Sequence, residues 1–298
     1  MSTRKKALLA VFLGNSIFGF SFLFSKTALE ITTPSVMLAV RFGIAFLVLN
    51  LIVMYGKWTK KIDFSLKGKP LRYAILLSVF QPVIYFCAES YGIKYTSSAF
   101  AGTIIAVIPI AGIVLDVLIM RVKVSAKQVL CSVVSVIGVA VTTYGAESME
   151  HSVIGVLLLL IAVVAGALFY VFSKKAGQYF NPLERTYVMF GVGSVSYIVY
   201  ALVECRGKYN NLLVPAIMNL EFWGCTLYLA VISSVVAFLL LNYGSSHVSV
   251  SEASLFANFT TVISILAGIF IVGENFTIWQ ILGAGLICGS VYFNNLFS

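Results

Sequence analysis

Two ionisable residues, Arg41 and Glu89, stand inside otherwise apolar stretches of the chain. A charge in a lipid-embedded helix costs roughly 2.5–3.5 kcal/mol on insertion scales, so each is a functional candidate. Arg41 could meet an anion or a carboxylate. The alternative is a structural arginine that caps carbonyls or pairs with an acid between helices. Glu89 belongs to a stripe, because Gln81, Tyr85 and Glu89 are spaced i, i+4, i+8 and share one helical face. Polar groups facing lipid are costly, so the stripe is expected to face the interior and line a cavity. Pro82, beside Gln81, interrupts the backbone hydrogen bonds and predicts a kink. Glu89 could instead be interfacial and paired with Lys94.

Asn15, Phe18 and Phe22 lie on one face of another apolar stretch, and Asn258, Thr260 and Thr261 are polar residues within a third. Such groups need partners between helices or line water. Aromatic walls with a few polar groups suit an amphipathic small molecule, whereas ordinary aromatic packing is the competing reading. Glu252 follows Ser249 and Ser251 at a helix start, where an acid complements the macrodipole. Asp116, near Arg121 and Lys123, is expected to form an interfacial ion pair. The sequence has no HExxH, GxSxG or Walker motif, and GAGLICG is not preceded by a strand. The five cysteines have no metal-ligand spacing. Neither an enzyme, a cofactor nor a metal site is expected.

The elements that must position these residues follow from composition. Of 298 residues, 60% are hydrophobic and 10% charged, and the mean hydropathy is +1.00. A soluble domain carries about 25% charged residues. A helix crosses a bilayer with roughly 20 apolar residues. Ten such stretches are predicted: Ala7–Ala28, Pro34–Met54, Leu71–Tyr91, Ser97–Val117, Val124–Tyr144, Val153–Phe172, Pro182–Leu202, Phe222–Tyr243, Ser251–Ile271 and Thr277–Leu296. Only Tyr55–Pro70 and Val203–Glu221 read as long loops, and the first stretch does not read as a cleavable signal peptide. The net charge of +9 is not read as a nucleic-acid surface. With the N-terminus in the cytoplasm, 15 of the 20 basic residues, Arg185 among them, fall in cytoplasmic segments. Both termini are therefore expected there, in a multi-pass protein of the inner or plasma membrane.

The chain also repeats itself. Phe24–Gly43 (FSKTALEITTPSVMLAVRFG) matches Phe172–Gly191 (FSKKAGQYFNPLERTYVMFG) at eight of twenty positions, with a constant offset of 148. Further on the offset is 152: Tyr91-Gly92 matches Tyr243-Gly244, and Gln128 and Leu130 match Gln280 and Leu282. Residues 1–148 and 149–298 thus form two five-helix repeats within one membrane domain. Five is odd, so the second copy crosses the membrane upside down. The predicted fold is an all-α integral membrane protein of ten transmembrane helices in two inverted-topology repeats. Many secondary transporters are built this way, with the substrate near the midplane. Tyr170 is the counterpart of Phe22. Arg41 falls opposite Met189, and Glu252 opposite Phe100.

This pattern resembles the drug/metabolite transporter superfamily in its ten-helix EamA-type branch. The resemblance is carried by GNSIFGFSFLFSK (Gly14–Lys26), Pro34 with Arg41-Phe42, TSSAFAG before Pro109, SEASLFANFTTV (Ser251–Val262) and VGENFTIWQILGAGLICGSVYF (Val272–Phe293). The chain departs from the family pattern at Arg121-Val122-Lys123, where the family often has a Glu, and at Thr261, where a Pro is common. The resemblance implies a carrier that exports amino acids or related metabolites by alternating access. The rivals are a multidrug exporter, an integral-membrane enzyme or lipid-handling protein, and a membrane sensor. The expected partners are a small-molecule substrate and the lipid bilayer. Gly285 and Gly289 form a small-xxx-small face that predicts close helix packing, within a protomer or in a homodimer.

Overall fold

The computed structural model describes residues 2–95, 104–121, 123–142, 152–267, 270 and 278–297, and within these the side chains of Phe22, Lys26, Ile93, Lys94, Thr142, Ser264, Ile265, Gln280, Asn295 and Phe297 lie outside the description. Ten successive helical spans account for the described chain. The first is α1 (Thr3–Ile31) and the second α2 (Pro34–Trp58). The third joins α3 (Leu71–Ser78), a π-helical segment (Val79–Ile84) and α4 (Tyr85–Tyr95). The fourth to seventh are α5 (Ile108–Met120), α6 (Ala126–Thr142), α7 (Val153–Ala176) and α8 (Pro182–Glu204). Two short helices, α9 (Tyr209–Leu212) and α10 (Val214–Met218), occupy the stretch read as a loop. The eighth span joins α11 (Leu220–Leu227), a second π segment (Tyr228–Val236) and α12 (Ala237–Ser245). The ninth joins α13 (Val250–Leu255), a 3₁₀ turn (Phe256–Asn258) and α14 (Phe259–Ala267), and the tenth is α15 (Ile278–Phe297). Six of these spans are long and apolar enough to cross a membrane by length and composition.

The helix starts have chemical causes. Pro34 and Pro182 both open their helices, where a missing N–H costs nothing. Asn181 with Glu184, and Ser249 with Glu252, form reciprocal capping boxes. The first span runs on to Ile31, so Lys26 lies in a helix rather than in the outer loop where charge counting put it.

The packing obeys the repeat. Exchanging spans one to five with six to ten maps the main pairings onto themselves. The first span lies against the eighth and ninth, as the sixth lies against the third and fourth. The second meets the π segment of the eighth, as the seventh meets the π segment of the third. The second and seventh, and the fifth and tenth, pair across the junction. The two π segments also correspond: the offset of 152 places Gln81 and Pro82 on Ser233 and Ser234, inside Tyr228–Val236. The predicted kink at Pro82 is therefore one of a pair of breaks. Gln81 itself has an extended backbone, φ −146° and ψ 120°, inside the third span.

The fifth and tenth spans pack through Gly138, where a Cβ would lie 2.9 Å from the Gly283 carbonyl oxygen. Gly285 and Gly289, expected to provide such a face, have nothing within 4 Å of an added Cβ. The small-residue contact within the protomer is real but is made by different glycines.

Candidate functional site

A buried polar cluster lies where the two repeats meet. Arg41, 2% exposed, projects from the second span onto the π segment of the eighth. Its Nε donates to Ser234 Oγ at 3.0 Å and its Nη2 to Ser233 Oγ at 3.1 Å. Ser21, on the first span, donates to the same Ser233 hydroxyl at 2.7 Å. The guanidinium carbon lies 4.6 Å from the Phe86 ring centre and 5.3 Å from that of Phe42, which gives the charge two cation–π contacts. Neutral hydroxyls and ring faces thus hold Arg41, and among the described residues no acid bonds it directly.

Among the described residues, Glu89 is the carboxylate whose charge bears on Arg41. Arg41 and Glu89 are not in salt-bridge contact; the ion pairs of the described residues are Arg4–Glu252 and Lys69–Glu184. Instead the Tyr85 hydroxyl donates to Glu89 Oε1 at 2.8 Å. Both groups are buried. Glu89 is therefore an interior residue of the stripe and not an exposed interfacial acid. A buried guanidinium and a buried carboxyl group in one cluster, not bonded to each other, are complementary to a ligand that carries both signs.

The rest of the wall is aromatic. Phe238 is ringed by Phe18 at 5.5 Å, Phe190 at 5.4 Å and Phe169 at 5.8 Å. Tyr170 is buried and its phenol meets the Asn15 carboxamide, which also donates to its own helix at Val11 O, 2.8 Å. Tyr85 passes against Gly166, where an added Cβ would lie 3.3 Å from its ring. On the opposite side Tyr197 stacks on Phe42, and its hydroxyl donates to Pro82 O at 3.0 Å and Val83 O at 2.8 Å. Each repeat's second span thus uses a polar side chain to engage the other repeat's broken span. Backbone groups freed by a π segment need such partners in lipid, and π segments recur at functional sites.

The predicted site residues divide into groups. Arg41, Glu89, Tyr85, Tyr170, Asn15 and Phe18 belong to this junction. Gln81, buried, sits in the break of the third span itself. Asn258 donates to Ser135 Oγ at 2.9 Å, tying the ninth span to the fifth beside a small separate core of Ala106, Val139, Val262 and Ile287. Thr261 is half-buried in the same span, and Thr260 donates to Asn15 O at 3.2 Å. Glu252 closes its capping box on Ser249 and accepts from Arg4 at 2.6 Å, so it fastens a helix end. The side chain of Phe22, and Phe100, lie outside the described residues.

Sequence reasoning missed Ser21, Tyr197 and the Ser233–Ser234 pair. Carrying the 152 offset back from Tyr243 to the residues opposite Gln81-Pro82 would have found the serines. One charge was misplaced. Asp116 was read as an interfacial ion-pair partner, but it is fully buried and accepts from the Ser251 N–H at 3.0 Å and its hydroxyl at 2.9 Å, capping the ninth span. Arg185, counted among the charges of the cytoplasmic segments, lies in the first turn of the seventh span and is fully buried. It donates to Ser173 O at 2.5 Å, to Ser246 Oγ at 2.6 Å and to Asn242 O. It thereby satisfies carbonyls at the C-terminal ends of the sixth and eighth spans, where the helix dipole favours a cation.

Comparison with known proteins bears on this geometry. A family model described as the EamA-like transporter family matches residues 5–144 and again 153–296. The chain is 31% identical over 294 residues to YcxC, an uncharacterized transporter of Bacillus subtilis (strain 168), covering 97% of this chain and 93% of that one. It is 24% identical over 277 residues to an uncharacterized transporter of Archaeoglobus fulgidus, covering 93% and 94%. One solved crystal structure superposes with a TM-score of 0.80 at 17% identity, over 98% of this chain and 97% of that one, which is a likeness of fold.

Proposed function

The chain belongs to the EamA-like transporter family, and from that premise we propose that it carries amino acids or closely related metabolites across the cell's inner or plasma membrane. The observation that carries this reading is the buried Arg41–Glu89 pair, held apart at the junction of the repeats. An amino acid's carboxylate matches the guanidinium, and its ammonium matches the carboxylate beside Tyr85. The aromatic wall around Phe238 suits an apolar side chain. Gln81 in the broken third span, with Asn258 and Thr261 in the ninth, completes the polar lining as the bundle opens.

Transport proceeds by alternating access, with the two repeats rocking about their junction. The paired breaks of the third and eighth spans supply the flexure, and both termini stay on the cytoplasmic side, where the basic loops hold them. The direction is export. A drug exporter for apolar cations would use Glu89 and the aromatic wall but would have no use for Arg41.

A proteoliposome counterflow screen tests this. Protein loaded with mixed unlabelled amino acids is offered single labelled ones without an ion gradient. Accumulation of a labelled neutral amino acid supports the proposal. No uptake of any amino acid, alongside uptake of an organic cation, would overturn it.

A further inference from the structure

A recess of about 290 Å³ opens away from the central junction, at the ends of the third, fourth and sixth spans. Tyr73, Ile119, Met120, Lys175, Gln178 and Tyr179 line it. Tyr73 and Tyr179 stack almost parallel, 3° apart with centroids at 5.5 Å, and form one rigid wall. Lys175 is half-buried and lies 5.9 Å from the Phe172 ring centre, with no carboxylate of the described residues in contact. Arg72 covers the Tyr73 ring at 5.0 Å, and Arg121 is exposed at the end of the fourth span. The rim is therefore basic.

Farther along the same helices the surface changes character. Leu76 of the third span is 39% exposed, and Val117 and Leu118 of the fourth are 47% and 70% exposed. These side chains face lipid, so a basic, hydrogen-bonding recess stands at the end of an apolar wall. We propose that this recess binds the headgroup of an anionic phospholipid. The phosphate meets Lys175, Gln178 and the tyrosine hydroxyls donate to its oxygens, and the acyl chains run down the wall of Leu76 and Leu118. A basic pocket between spans at the membrane surface is suited to such a headgroup. Free phosphate would fit the recess but gain nothing from the apolar flank. The bound lipid would join the third, fourth and sixth spans and so brace the span that carries the first π break. This inference does not depend on which substrate the protein carries.

The test is lipid retention on delipidated, detergent-solubilised full-length protein. Native mass spectrometry compares added phosphatidylglycerol with phosphatidylcholine, for wild type, Lys175→Gln and Lys67→Gln. One basic group near a membrane surface contributes about 1 kcal/mol, or roughly a five-fold preference. Wild type and Lys67→Gln should retain the anionic lipid preferentially, Lys175→Gln should lose about five-fold of that preference, and inorganic phosphate should not displace the lipid. Gln178→Glu provides a second arm if Lys175→Gln does not fold, because its added negative charge should repel the headgroup. Equal retention of the two lipids by wild type, an equal loss in Lys67→Gln, displacement by phosphate, or unchanged preference in the site variants would overturn the proposal.

Discussion

Burial of charge gives individual residues their roles. Arg41 is held by two serine hydroxyls and two ring faces, with no carboxylate of the described residues in contact. Arg41→Gln should leave the folded yield within about two-fold of wild type, because the serines can pair with the amide, and should reduce counterflow by at least about ten-fold. Uptake kinetics beside a size-exclusion profile measure both, and undiminished uptake would remove Arg41 from the site. Asp116 has a structural part, since it accepts two hydrogen bonds at the start of the ninth span. Asp116→Ala leaves a buried N–H unpaired and should cost about 1–3 kcal/mol, read as a lower Tm in detergent. That Arg41 and Glu89 were candidates was legible in the sequence, because charges in apolar runs stand out. The burial of Asp116 and Arg185 was not. Their partners, Ser251, Ser173, Asn242 and Ser246, are helix-end groups brought near only by folding, and local charge density pointed to a surface instead.

Among the elements, the broken spans matter most. Tyr197 on the seventh span donates to two carbonyls of the first π segment, while Arg41 on the second grips the other. Tyr197→Phe keeps the stack on Phe42 and removes only those hydrogen bonds. It should change the turnover rate several-fold with less effect on KM, which concentration-dependent uptake would reveal; wild-type kinetics would argue against the break as a moving part. The fifth and tenth spans are joined more rigidly. Gly138→Val should cost about 1–3 kcal/mol, because the added side chain meets the Gly283 carbonyl and Ile287. Thermal unfolding tests it, and Gly285→Val, with open space around it, is the control that should change stability little. Hydropathy located the spans well because lipid demands long apolar runs. It did not find the glycine that packs within the protomer, because helical spacing marks a face but not the neighbour that face meets. Pro82 announced one break; the other has no proline and could be inferred only through the repeat.

The whole molecule is an inverted repeat whose main span pairings survive exchange of its halves, yet its chemistry does not. Arg41 has Met189 as its counterpart, and Arg185 has Met37. Each repeat thus places one buried arginine where the other has a methionine, on the two spans that pair across the junction. The repeat itself was legible from Phe24–Gly43 and Phe172–Gly191 alone, because a duplicated segment leaves a constant offset. Under the proposed function, the asymmetric charges give a symmetric scaffold its substrate preference. The central claim is that Arg41 and Glu89 together receive a molecule bearing both a carboxylate and an ammonium. The most direct measurement is competition in counterflow. Unlabelled amino acid, its decarboxylated amine and its deaminated acid compete against a labelled neutral amino acid, in wild type, Arg41→Gln and Glu89→Gln. Wild type should be inhibited strongly by the amino acid alone, Arg41→Gln should lose the preference for it over the amine, and Glu89→Gln the preference over the acid. Equal inhibition of wild type by all three compounds, or discrimination unchanged in both variants, would contradict the account.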